Sequence, residues 1–268
     1  MPWPQPFQVE QDLILSRLIV EIANHELLAE ELAMRGGTCL HKLHLVEPLR
    51  YSEDLDYVRK THTGIKPYLD ALHDIAARIG FTERSVGQSG DLVHLVLDAT
   101  PTISPGRIRL RIETNIRETA SHSERILVPY RVESGWWQGD AEVATFKIEE
   151  LMSTKLRALY QRSKGRDLFD LWLVLTGGDS DDEAIIDGFY HYMGEDAYSY
   201  PQLADNLRAK LEDAEFLADL EALVAQVPDR YTTEAAADLV MERLGSKLRN
   251  APRLREIVSG RWRNSRPA

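Results

Sequence analysis

Two carboxylates separated by a single residue stand in the segment Ser52-Glu53-Asp54-Leu55-Asp56. On a β-strand successive side chains alternate between faces, so Ser52, Asp54 and Asp56 would project together while Leu55 enters the core. Carboxylates this close repel one another unless a positive charge lies between them. Hard oxygen donors suit Mg²⁺, which takes one or two carboxylates and completes its shell with water and substrate phosphates. Read alone, an Asp-x-Asp pair is also compatible with a solvent-facing strand edge.

Other segments carry related chemistry. Gly36-Gly37-Thr38 lies upstream. Paired glycines let a backbone approach a ligand closely, and if Thr38 caps a helix, the free N–H groups there favour a phosphate; read alone, the segment also fits a plain strand-to-helix turn with a Thr cap. Arg107-Ile108-Arg109-Leu110-Arg111-Ile112-Glu113 alternates without a break. Glu113 is therefore a candidate third metal ligand, on one face with Arg107, Arg109 and Arg111. Those arginines suit triphosphate or an RNA backbone, or cross-strand ion pairs. Lys155 lies four residues from both Leu151 and Leu159, on the apolar face of a helix. Burying an unpaired charge is costly, so Lys155 either meets a triphosphate or snorkels to the rim. Asp167 and Asp170 are helical neighbours in Arg166-Asp167-Leu168-Phe169-Asp170. They are either site groups or helix N-terminal charges paired with Arg162 or Arg166. The histidines show no metal-ligand spacing, and the chain has no nucleophile elbow, Walker loop, Rossmann fingerprint or CxxC.

These residues need elements to hold them. The spacing predicts a helix over 7–28, a strand over 32–35, and a helix opened by Thr38. Strands follow over 51–58, 92–97, 107–113, 126–132 and 144–148, with a helix over 67–79 between the first two. Beyond 148 the pattern is helical: 149–162, 166–175, 181–193, 201–211, 215–227 and 232–248. The expected class is α+β: an α/β domain over 1–148 and an all-helical domain over 149–268.

The composition narrows the functional classes. No apolar run is long enough to span a bilayer. The amino-terminal residues lack a signal-peptide plan, and the single cysteine, Cys39, allows no intramolecular disulfide. The expected location is the cytoplasm, with no membrane partner. A net charge of −11 argues against general nucleic-acid binding by overall attraction. The segment from Arg243 onward, however, carries eight Lys/Arg against the single acid Glu256, a basic tail that suits either an anionic partner or a solvated amphipathic helix neutralising the acidic body.

In their order along the chain, these motifs resemble the AbiEii-type nucleotidyltransferase toxins of bacterial toxin–antitoxin systems, including the mycobacterial MenT toxins. The matching stretches are Arg35-Gly36-Gly37-Thr38-Cys39-Leu40-His41-Lys42, Arg50-Tyr51-Ser52-Glu53-Asp54-Leu55-Asp56 and the run from Lys155 to Leu171. The resemblance covers about residues 30–175. It implies a polymerase-β-like nucleotidyltransferase core followed by a helical domain. It assigns Asp54 and Asp56 to Mg²⁺ or Mn²⁺, with Ser52, Gly36, Gly37 and Thr38 at the nucleotide and Lys155 and Asp167 in the active site. Arg166 and Asp170 would support them. The implied reaction transfers NMP from an NTP to RNA, at the 3′ acceptor end of tRNA, and so blocks aminoacylation. An AbiEi-type antitoxin is the implied partner. Two rivals stand beside this reading: transfer to a protein or small-molecule hydroxyl by the same core, and a non-catalytic nucleotide-binding module.

Overall fold

The computed structural model describes residues 3, 5–45, 47–61, 64–81, 83–102, 106–116 and 120–249. The basic tail beyond residue 249 lies outside them. The described chain forms two compact units. One is built from the chain up to Lys147 together with Leu223–Ala225, and the other from Ile148 onward.

In the first unit, the helices are α1 (Pro6–Ala23), α2 (Glu26–Glu31), α3 (Gly36–Cys39) and α4 (Lys66–Ile79). The strands are β1 (Leu32–Arg35), β2 (Asp54–Arg59), β3 (Glu83–Ser89), β4 (Leu92–Ala99), β5 (Ile108–Asn115), β6 (Ile126–Glu133) and β7 (Gln138–Thr145). Five strands make one sheet in the order β1-β2-β5-β4-β3, and β6 pairs with β7 in a second. Within the first sheet β2 and β5 run parallel, and the other neighbours are antiparallel. One face of that sheet is apolar: Leu55, Leu95, Leu97, Leu110 and Ile112 are fully buried. The face is fixed by period-two alternation, since a one-residue slip would turn every core side chain to the opposite side. Gln11 of α1 donates to the Arg109 carbonyl (3.0 Å), and Tyr68 of α4 hydrogen-bonds Thr114, tying both helices to β5.

The second unit is helical: α5 (Ile148–Gln161), α6 (Gly165–Gly177), α7 (Asp182–Met193), α8 (Tyr200–Lys210), α9 (Ala214–Ala218) and α10 (Thr233–Arg243). Side-chain caps set several starts, including Asp181 on the Glu183 and Ala184 amides and Thr232 on Ala235. The apolar stripe of α5, Leu151, Met152, Leu156 and Leu159, is buried, and α5 packs against α6 and α7.

Several elements differ from the sequence-based expectation. Residues 144–148 are not one strand, because β7 ends at Thr145 and Ile148 opens α5. The helix expected over 215–227 stops at Ala218. Residues 223–225 instead join the first unit, where the Leu223 carbonyl accepts the Tyr51 amide (2.7 Å) and its side chain packs on Trp3 and Tyr51. Strand β3 has no counterpart among the expected strands. No described helix is long and apolar enough to cross a membrane.

Candidate active site

In the first unit the site is built on β2. Asp54 and Asp56 share a face by strand alternation, opposite the buried Leu55. The parallel neighbour β5 sets Arg111 beside Asp54 and Glu113 beside Asp56. The antiparallel neighbour β1 ends with Arg35 beside Asp56, and Gly36 follows immediately. Gly36 has φ +82, a conformation that favours glycine, and a Cβ there would overlap the Asp56 carboxylate. At Gly37 a Cβ would run into the Arg50 guanidinium and lie 3.2 Å from Ser52 Oγ. Both glycines are thus explained by close approach to site side chains.

Thr38 is not a helix cap. The helix starts two residues earlier, with extended Arg35 at its N-cap, and Thr38 is buried within it. Its Oγ1 lies 2.8 Å from Ser52 Oγ and 2.5 Å from the Asp54 carbonyl oxygen, to which the hydroxyl donates. Ser52 in turn precedes β2 rather than lying on it, since the strand begins at Asp54. The Thr38 contact, not alternation, fixes Ser52. A π-helical turn, Leu40–His44, continues from α3, a form often found at functional positions. Lys42 in this turn is ion-paired to buried Asp12 of α1 (2.7 Å), which pins the Gly-Gly-Thr segment to the core.

Electrostatics mark the carboxylates. Burial, then the adjacent Asp56, Glu53 and Glu113, push Asp54 up to about 7, against the opposing pull of Arg111. Glu113 accepts from Arg111 (3.1 Å) and lies 3.4 Å from His94 Nδ1. Arg109 and Arg107 instead approach Asp98, at 3.0 and 3.7 Å, further along β5. Cys39 is buried, its Sγ 3.0 Å from Thr145 Oγ1. Burial pushes its thiol up to about 12, as suits a packing residue. Among the described residues, no three His, Cys, Asp or Glu side chains converge as a metal cage, Glu113 included.

In the second unit, Lys155 does not snorkel. Its Nζ lies 3.0 Å from Asp167 Oδ1 and 2.8 Å from Asp170 Oδ2, and both carboxylates are fully buried. Arg162 adds two contacts to Asp167, at 2.7 and 2.9 Å. Burial raises the Asp167 pKa, but Lys155 and Arg162 outweigh it and hold the group below the usual carboxylate range. Arg166 stands apart from this cluster. Its amide donates to Asp219 (3.1 Å), whose carboxylate also lies 3.6 Å from the Arg166 and Lys164 side chains.

Arg50 and Lys210 are not among the residues that motif spacing singles out. Arg50 lies two residues before Ser52 inside a matching motif, a signal available in the sequence. Lys210 resembles any surface lysine of an amphipathic helix. It is nevertheless buried and donates to the Leu159 and Tyr160 carbonyls at the end of α5, and burial lowers it to about 8 despite Asp167.

A Gly-Gly turn against an Asp-x-Asp strand of a mixed sheet, with a helical unit following in the chain, describes a nucleotidyltransferase. The sequence profile described as "Nucleotidyl transferase AbiEii toxin, Type IV TA system" matches residues 17–256, and the chain belongs to this AbiEii family. No curated protein sequence matches it. Among solved structures it is similar to MenT4, a nucleotidyltransferase toxin from Mycobacterium tuberculosis, with TM-score 0.57 and 16% identity over 94% of this chain and 91% of that one. It is also similar to JHP933 from Helicobacter pylori, with TM-score 0.54 and 18% identity over 88% of this chain and 89% of that one. At these identities the likeness is one of fold, and that fold is the expected α+β class.

Proposed function

We propose that the chain transfers a nucleotide from an NTP to RNA, at the 3′ acceptor end of tRNA, and thereby blocks aminoacylation and translation. The observation that carries this reading is the pair Asp54 and Asp56, crowded on one face of β2 against the Gly36-Gly37 turn. Burial and mutual repulsion make the doubly ionised pair unfavourable unless a cation joins it. Two hard oxygen donors beside a phosphate-suited turn fit Mg²⁺ or Mn²⁺, with phosphate and water completing the shell. Asp54 and Asp56 would hold the ion, which when bound supplies positive charge to the triphosphate. Glu113, engaged by Arg111 and His94, is the weaker donor.

The chain's own groups then have definite tasks. Gly36 and Gly37 give backbone access to phosphate oxygens, Arg50 places a cation beside Gly37, and Thr38 fixes Ser52 as a hydroxyl contact. Lys155 is assigned to the triphosphate by family resemblance. Asp167 and Asp170 pair with it and fix its orientation, with Arg162 and Arg166 supporting the α5–α6 turn. The RNA 3′-hydroxyl oxygen bonds to the α-phosphorus, the bond to pyrophosphate breaks, and the hydroxyl proton passes to solvent. Such a toxin acts in the cytoplasm and is neutralised by an AbiEi-type antitoxin.

The test is pyrophosphate release with intact tRNA against tRNA whose 3′-terminal ribose has been oxidised with periodate. Release with intact tRNA only supports the reading. Equal release from both, or release with no RNA present, would move the acceptor to a protein or small molecule.

A further inference from the structure

We propose that the open face of the sheet formed by β5, β4 and β3, on the side of the carboxylates away from the Gly-Gly turn, docks the single-stranded 3′ segment of the RNA acceptor. The inference rests on the nucleotidyl-transfer reading and adds the surface that presents the acceptor.

Strand register sets the surface out in rows. One row runs Arg35, Asp56, Glu113, His94 and Gly87 from β1 to β3, and the next runs Asp54, Arg111, Val96 and Ser85. On the β1 side, Asp56 abuts the Gly36-Gly37 turn and Arg50, groups that suit the triphosphate. An attacking hydroxyl must reach the α-phosphorus from elsewhere, and the same sheet face continues only across β5, β4 and β3. With neighbouring strands ~4.8 Å apart, this shelf extends ~14 Å from β2.

Its relief and charge fit a nucleic-acid strand. The outermost positions are the small, exposed Ser85, Gly87 and Ser89, and a Cβ at Gly87 would meet nothing within 4 Å. Arg107, Arg109 and Arg111 are 50%, 65% and 50% exposed. Arg109 and Arg111, at alternate positions of β5, stand about 6.7 Å apart, comparable to successive phosphates of an extended strand, and Arg107 immediately precedes the strand. Ion pairs of exposed arginines are weak, so Asp98 and Glu113 can yield them to phosphate, which arginine binds with paired hydrogen bonds. A protein partner is disfavoured here, because none of the exposed large apolar side chains among the described residues lies on this face. Val86 of β3 pairs with Leu95 and points to the other side.

The experiment measures steady-state labelling of bulk tRNA by wild type, the double variant Arg107→Gln/Arg109→Gln, and Gly87→Trp. Gly87→Trp blocks the shelf without removing an ion-paired side chain, so it remains informative if the arginine variant folds poorly. Both variants should raise KM for tRNA on the order of tenfold while leaving KM for NTP and kcat at saturating tRNA unchanged. The arginine variant should also flatten the log–log salt dependence of tRNA binding by about 1.4, for two lost phosphate contacts to a single strand. Wild-type labelling of tRNA with unchanged KM and salt slope in both variants would overturn the docking surface alone and leave this face to a protein partner. A wild-type protein that labels no RNA would overturn the surface together with the functional reading.

Discussion

Asp54 carries the sharpest electrostatic signature of the site. Its pKa rises from 3.8 to about 7, chiefly by burial and then by Asp56. In metal-free protein the folded state therefore retains a proton that the unfolded chain releases between those values. Stability falls as pH rises through that window, because the native state binds more protons there. Asp54→Asn removes the penalty. Relative to wild type, the metal-free variant should melt at a higher temperature at about pH 8 and at nearly the same temperature at about pH 4. A variant less stable than wild type at about pH 8 would contradict this assignment. Mg²⁺ should narrow the difference by stabilising wild type selectively. The Asp-x-Asp pair was legible in the sequence because strand alternation is local. The Thr38–Ser52 contact was not, since it joins residues 14 apart across a turn that local spacing does not describe.

At the scale of elements, two connections matter, one within each unit. The β1–α3 junction brings Gly36 so close to Asp56 that no side chain fits. Gly36→Ala combines that overlap with a positive φ, and should cost ~1–3 kcal/mol in urea unfolding together with all transfer. Full activity in Gly36→Ala would show that the carboxylate and turn are not tightly coupled. The α5–α6 hairpin brings Lys155 to Asp167 and Asp170. Lys155→Ala removes the cation shared by two buried carboxylates, of which Asp167 keeps Arg162, and should cost up to ~3–5 kcal/mol. Lys155→Met/Asp167→Asn/Asp170→Asn should recover most of that stability and no activity, which separates a structural ion cluster from a catalytic lysine. Recovery of transfer would remove Lys155 from the reaction. Helical period placed Lys155 on the buried face, but it did not reveal its partners, which lie 12 and 15 residues away. Strand β3 left no signal because it is an edge strand with a single apolar residue, Val86, and its residues 84–89 are exposed. Helix α9 ends early because Leu223 is claimed by Trp3 and Tyr51, a tertiary contact that overrides a helical pattern.

For the molecule as a whole, the change of hydrophobic period near residue 148 coincides with the start of α5, and the family profile extends across most of the chain. A net charge of −11 leaves no global attraction for RNA, so any RNA contact must come from local cations such as the β5 arginines or the basic residues from Arg243 onward. The central claim is that Asp54 and Asp56 serve nucleotide transfer to an RNA end. The direct measurement incubates the protein with total tRNA, Mg²⁺ and each α-labelled NTP in turn, beside Asp54→Asn. Label at the tRNA 3′ end from wild type alone is the predicted result. Label incorporated equally by Asp54→Asn, or label found only on protein or a small molecule, would contradict it.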